Sequence, residues 1–215
     1  MTLIKKSIDI KDEELILTNQ RALFWKRENV LVLSDIHIGK TAHFRKHGIP
    51  MPDNILDNDL ERLKSLILHF EAKNIWIVGD LFHAENNGNM ATFKSWLHQF
   101  EDLKITLIKG NHDRLLNEIM DDFNIKVETE LNVPPFKFIH EPTNDNNQLF
   151  TIAGHIHPGV MIKGKGRQKL RLPCFQVSDE QLILPAFSEF TGLNTRLKPE
   201  NCVNFAFTET AIFEF

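Results

Sequence analysis

Tyrosine is missing altogether, cysteine is reduced to two residues, and no apolar stretch approaches the roughly 20 residues that a membrane-spanning helix requires. The opening run, MTLIKKSIDIKDEE, lacks the apolar core of a secretory signal. Cys174 and Cys202 have neither CxxC spacing nor the density of a disulfide framework. A reducing cytoplasm is therefore the expected compartment, with both cysteines acting as small buried hydrophobes. Positive charge is not in excess either. Acids outnumber bases 29 to 25, giving a net charge of −4, which excludes a protein that coats nucleic acid by bulk charge. Linker-like tracts, repeats and low-complexity segments are also lacking, so the 215 residues are expected to form one domain, 1–215, with a sizeable core. There is no GxSxG elbow around Ser34, and neither cysteine sits in a motif, so a serine or cysteine nucleophile finds no support. The 17 phenylalanines beside no tyrosine have no functional explanation.

Histidine is well represented, with ten residues. His37, His83, His112, His140, His155 and His157 stand beside Asp, Asn or Gly in short clusters, whereas His43, His47, His69 and His98 lie in polar or helical surroundings.

Periodicity gives the element order. SIDI, ELILT and ALFWK read as a strand meander, and VLVLSD as a strand covered on both faces. A polar loop with Pro50 and Pro52 follows. The stripe Ile55, Leu56, Leu60, Leu63, Leu66, Ile67 and Phe70 then predicts a helix over residues 53–73, with Asp53 able to cap it. NIWIVGD is a second buried strand, the loop ENNGN leads into a helix from about Met90 to Phe100, and KITLIKGNHD is a third strand before a short helix near 115–123. This alternation predicts an α/β sheet with crossover connections. From Lys126 the texture changes to short strands (FKFIHEP, QLFTIAGHIHP, LRLPCFQVS, QLILPAF, VNFAFTE, AIFEF), which predict a second, largely antiparallel sheet, with EPTNDNNQ as a surface loop.

Every strong motif starts at the carboxyl end of a predicted strand, where open α/β sheets bind ligands. These are Asp35-Ile36-His37, Gly79-Asp80 with His83 shortly after, Gly110-Asn111-His112-Asp113, His140, and Gly154-His155-Ile156-His157. In an extended DxH or HxH, residues two apart project to the same side and reach one pole of a site. Each motif alone is commonplace; five at successive strand ends are not. Two Asp, one Asn and four or five His form an oxygen and nitrogen donor set suited to Mn²⁺, Fe, Zn²⁺ or Ni²⁺ rather than Ca²⁺. The set is too large for one ion, so two divalent ions sharing a carboxylate are expected, Mn²⁺ foremost.

This order, DxH, GD, GNHD, H and GHxH over Asp35 to His157, resembles that of the calcineurin-like metallophosphoesterases. DIHIGKTAHFRKHGIP, GDLFH, LPCFQV and LILPAFSEFTG further resemble the bacterial ligase-associated DNA-damage-response endonucleases within that superfamily. The resemblance implies a two-sheet αββα sandwich flanked by helices. It implies Asp35, His37, Asp80 and His157 at a first metal, Asp80 as the bridge, and Asn111, His140 and His155 at a second. His112 would be the catalytic histidine rather than a ligand. FIHEP departs from the glycine-rich setting usual for the family's isolated histidine, which singles out His140. The implied function is hydrolysis of phosphodiester bonds by a hydroxide activated between two metals, on DNA during repair and beside a ligase and a helicase. A small-molecule phosphoesterase acting on a cyclic nucleotide, nucleotide or pyrophosphate is the alternative, and a non-catalytic scaffold a third reading. Asp113 either supports His112 in catalysis or caps the helix after it. His83, Lys40 and Arg45 are candidate substrate contacts, with Lys46 beside them; solvated loop residues are the competing reading. Lys163, Lys165, Arg167, Lys169 and Arg171 either track a nucleic-acid backbone or form the solvated face of a hairpin.

Overall fold

The structure is a computed structural model that describes residues 2–52, 54–83, 88–113, 123–143, 149–196 and 201–215. The expected cap Asp53, the helix near 115–122, and parts of ENNGN and EPTNDNNQ lie outside these residues. Two sheets stack face to face, with helices on the outer face of the first.

Among the described residues the first sheet holds β1 (Lys5–Ile10), β2 (Glu13–Thr18), β3 (Leu23–Trp25), β4 (Val30–Leu33), β5 (Asn74–Val78), β6 (Lys104–Ile108) and β7 (Lys126–Glu128), in that spatial order. The first three form the antiparallel meander, and β4 to β7 run parallel. β7 corrects one expectation, because Lys126 does not open the second sheet but adds a parallel strand to the first. Its alternation is too short, at three residues, to declare which sheet it joins.

Strands β4 and β5 read as unbroken apolar runs because both faces are covered. Val30, Val32 and Val78 face the second sheet, while Leu31, Leu33, Ile75 and Ile77 face the helices. Helix α2 (Ile55–Phe70) lays Leu56, Leu60, Leu63, Leu66 and Ile67 on that outer face. Its N-cap position is Asn54. Helix α3 (Gly88–Leu97) stops before the expected Phe100 because the chain tightens, with Gln99 N–H and Phe100 N–H donating to the carbonyls three residues back. Helix α1 (Lys40–Lys46) stands where a polar loop was expected; with only Thr41 buried, it carries no apolar stripe to reveal it.

The second sheet comprises β8 (Leu131–Val133), β9 (Phe136–Ile139), β10 (Phe150–Ala153), β11 (Gly159–Lys163), β12 (Lys169–Val177), β13 (Gln181–Ile183), β14 (Val203–Phe207) and β15 (Ile212–Glu214). Most pairings are antiparallel as expected, yet β10 runs parallel to both β9 and β13. That exception carries the chemistry: β9 and β10 deliver His140 and His155 from the same edge. Trp25, Phe136, Phe138, Phe150, Phe175 and Phe205 fill the layer between the sheets.

Candidate metal centre

Past their last ladder residues, β4 and β5 continue side by side. Asp35 N–H donates to the Gly79 carbonyl (3.0 Å), His37 N–H to Asp80 (2.9 Å) and Ile38 N–H to Leu81 (2.8 Å). On the other side Phe187 N–H donates to Ser34 and Ser188 N–H to Asp35, so the segment after β13 supports the same edge. These contacts bring Asp35, His37 and Asp80 together, all almost wholly buried.

The backbone there is not extended. Asp35, His37, Asp80, His155 and His157 all have φ between 51° and 66°, five of the twelve described non-glycine residues with positive φ. Each such residue stores roughly 1–3 kcal/mol of strain. The expectation that residues two apart reach one pole holds for Asp35 and His37 but fails for His155 and His157, which go to different groups although both pairs share the same left-handed backbone.

Two triads result. In the first, Asp35 Oδ1 lies 3.9 Å from His37 Nε2 and 3.1 Å from His157 Nε2. In the second, Asp80 Oδ2 lies 3.5 Å from His140 Nε2, which is 3.3 Å from His155 Nδ1. His140 donates its Nδ1–H to the Val78 carbonyl (3.0 Å), which turns Nε2 toward the triad, the arrangement a metal-binding imidazole needs. Backbone amides fix the remaining carboxylate oxygens: His155 N–H donates to Asp35 Oδ2 (3.1 Å) and His112 N–H to Asp80 Oδ1 (2.9 Å).

Glycines make this approach possible. A Cβ on Gly79 (φ +84°) would stand 1.9 Å from His140 Nδ1, and one on Gly154 would meet Ser34, Val78 and Asp35 at 2.7–2.9 Å.

The electrostatics suit cation binding. Burial raises the Asp35 and Asp80 carboxyls, but neighbouring histidines, with the His112 amide at Asp80, hold both below the usual range, so both are ionised. Burial and the Lys40 ammonium, against the pull of Asp35 and Asp80, take His37 down to about 3. His37 is thus neutral, and both its ring nitrogens, with Asp35 Oδ1, are buried without a hydrogen-bond partner. A cation there would meet Asp35 Oδ1 and one His37 ring nitrogen, the other nitrogen carrying the ring proton, so this donor set fits a divalent metal. For His140 burial acts downward, but Asp80, the Val78 carbonyl and Asp35 outweigh it and raise the group to about 9.

The other expected residues fall around this centre. Asn111 and His112 are exposed in the loop after β6. The His112 ring packs 4.6 Å from His83 and 5.6 Å from His37. His83 is half-buried, also touches His37 and His43, and is taken down to about 4 by burial and then by His112, Lys40 and His43. Lys40 opens α1; burial lowers its ammonium while Asp35 and Asp80 pull the other way. Arg45 donates to the Pro52 carbonyl (3.2 Å) across its loop.

Asp113 requires a correction. It does not reach for the His112 ring. Its buried carboxylate accepts N–H bonds from Asp80 and Gly110 at Oδ2 (2.8 Å each) and from Phe82 at Oδ1 (3.0 Å), stapling the ends of β5 and β6 together.

One group was invisible in the sequence. Buried Arg62 on α2 donates to Asp59, to Glu189 (2.8 Å) and to the Phe187 carbonyl, and covers the Phe187 ring at 4.4 Å. It thereby holds the segment that supports Asp35. Asp59 and Arg62 are three apart on α2, an ordinary helical ion-pair spacing, and nothing in that spacing marks them as buried.

Residues 28–189 match the model of the calcineurin-like phosphoesterase family. Among solved structures, the crystal structure of Pseudomonas putida nuclease MPE aligns with a TM-score of 0.80 and 30% identity, covering 94% of this chain and 96% of that one. No curated protein matches the sequence.

Proposed function

The chain belongs to the calcineurin-like phosphoesterase family, and from that premise we propose that it is a dinuclear metal-dependent phosphodiesterase acting on nucleic acid, DNA foremost, from one domain spanning residues 1–215. The observation that carries the reading is the pair of triads on one edge of the sandwich, Asp35–His37–His157 and Asp80–His140–His155. The 30% identity to a nuclease over almost the whole chain supports the nucleic-acid substrate.

Asp35, His37, Asp80 and His157 would hold one ion, and Asn111, His140 and His155, together with Asp80, would hold the other, Mn²⁺ foremost. When bound, such a pair polarises a phosphodiester and brings a water toward ionisation near neutral pH. The protein supplies the rest. His112, exposed above the triads, protonates the departing oxygen, an effect worth roughly 10²–10⁴-fold in rate. His83, neutral beside it, holds the His112 ring in place. Lys40 contributes positive charge toward the phosphate, and Arg45 shapes the loop that flanks it. The resemblance of the motifs to ligase-associated endonucleases extends the proposal to DNA repair in the cytoplasm beside a ligase and a helicase, tested by co-purification with either.

The experiment is metal analysis joined to activity. About two ions per chain, with Mn²⁺-dependent cleavage of bis-p-nitrophenyl phosphate and of labelled single-stranded DNA, is the expected result. His112→Ala keeps the ions and loses roughly 10²–10⁴-fold in rate. Cleavage of the small diester with DNA untouched would move the substrate to a small molecule. An ion-free, inactive protein would overturn the reading.

A further inference from the structure

We propose that the hairpin β11–β12 is an arm that grips the phosphate backbone of the nucleic-acid strand entering the metal centre, a role that rests on the nuclease reading above. The ribbon grows directly from the second HxH histidine: Pro158 follows His157, and β11 starts at Gly159. Its root is pinned beside that histidine, since Asn194 N–H donates to the His157 carbonyl (2.9 Å) and Gly159 N–H to Asn194 (3.0 Å).

The register sorts its two faces. Val160 and Ile162 pack against Leu172, Cys174 and Ala206. The opposite face carries Met161 opposite Arg171 and Lys163 opposite Lys169, and the turn adds Lys165 and Arg167. All five cations are exposed, and none makes an ion pair or side-chain hydrogen bond among the described residues.

That pattern is not what a merely solvated strand requires. Lys6, Lys26, Lys126 and Lys137 elsewhere each stand within 4 Å of a glutamate, while Lys11, Lys104 and Lys109 make no ion pair among the described residues; what sets the hairpin apart is five such cations within nine residues. The hairpin has no acid from Lys163 to Arg171, and it sets two lysines directly across a rung, where like charges destabilise the pairing. In a chain of net charge −4, this concentration of one sign has a polyanion as its natural complement. Residues two apart on a strand recur about every 6.6 Å, a step close to that between neighbouring phosphates of an extended strand. Arg171, opposite Met161, lies about 13 Å along the ribbon from His157, and the Lys163–Lys169 rung about 20 Å. The arm therefore reaches phosphates a few nucleotides from the bond being cut.

The test compares the triple variant Lys163→Gln, Lys169→Gln, Arg171→Gln with the parent protein, both Mn²⁺-loaded and both in the slow His112→Ala background. Binding of a labelled single-stranded oligonucleotide is followed by anisotropy across a salt series. The expected result is a loss of affinity of at least tenfold and a salt slope shallower by about 2, as three lost phosphate contacts require. Turnover of bis-p-nitrophenyl phosphate, measured in the otherwise intact protein with the same three substitutions, keeps its kcat and KM, because a small diester cannot span the distance. The turn variant Lys165→Gln, Arg167→Gln leaves the ladder intact and lowers the slope by about 1. Unchanged affinity and slope in both variants would overturn the arm, as would equal loss of diester turnover, which would make the hairpin a support for His157. A parent protein that binds DNA through the hairpin yet never cleaves it would break the nuclease reading and leave the arm standing.

Discussion

The two triads are built from the same residue types and held in different ways. In the first, Asp35 Oδ1 and both ring nitrogens of His37 are buried without a hydrogen-bond partner. In the second, His140 uses Nδ1 on a backbone carbonyl and turns Nε2 between Asp80 and His155. An unsatisfied buried polar group costs about 1–3 kcal/mol, so the first triad gains more from a cation than the second. The supports differ as well. The first leans on the segment after β13, which Arg62 anchors to α2, whereas the second is framed by the ends of β5, β9 and β10.

The comparison can be broken in order of effect. Asp80→Asn strikes both triads if its carboxylate is shared. Diesterase activity should fall by roughly a thousandfold or more, as removal of several kcal/mol of metal-derived stabilisation demands. Metal analysis should show fewer than two ions; two ions retained would remove Asp80 from its bridging role. Arg62→Met leaves Asp59 buried without its cation and should lower stability by about 3–5 kcal/mol, read by urea denaturation. Ion binding should weaken at the first triad, and a shift confined to the second would reverse the assignment of supports. Gly79→Ala drives a methyl group into His140 at a left-handed position and should cost about 2–4 kcal/mol through strain and overpacking. It should leave one tightly held ion, seen by calorimetric titration of the chelated protein.

Much of this edge was legible in the sequence. VLVLSD, NIWIVGD and KITLIKGNHD announce buried strands that end in polar ligands, because burial on both faces writes an apolar run and the ligands follow it locally. The separation of His155 from His157 was not legible as geometry, since DIH and GHIH share one spacing and the same left-handed backbone and only the second pair divides; only the family resemblance separated them. Nor could the sequence place β7, whose three residues fit either sheet, or α1, which buries too little to show a stripe. Asp113 and Arg62 escaped for a common reason. Apart from Gly110 and Asp59, each three residues away, their partners lie 31–33 and 125–127 residues off respectively, and a charged residue facing inward looks no different in sequence from one facing water.

The left-handed backbone at five candidate ligands also bears on how such a protein can change over generations. Asn, Asp and His are the side chains, after glycine, that this conformation admits most readily. They are also the side chains that hold divalent ions. Drift among them at Asp35, His37, Asp80, His155 and His157 would alter or silence the chemistry while leaving the turns at ease. A duplicated copy could in this way surrender its reaction long before it surrendered its architecture.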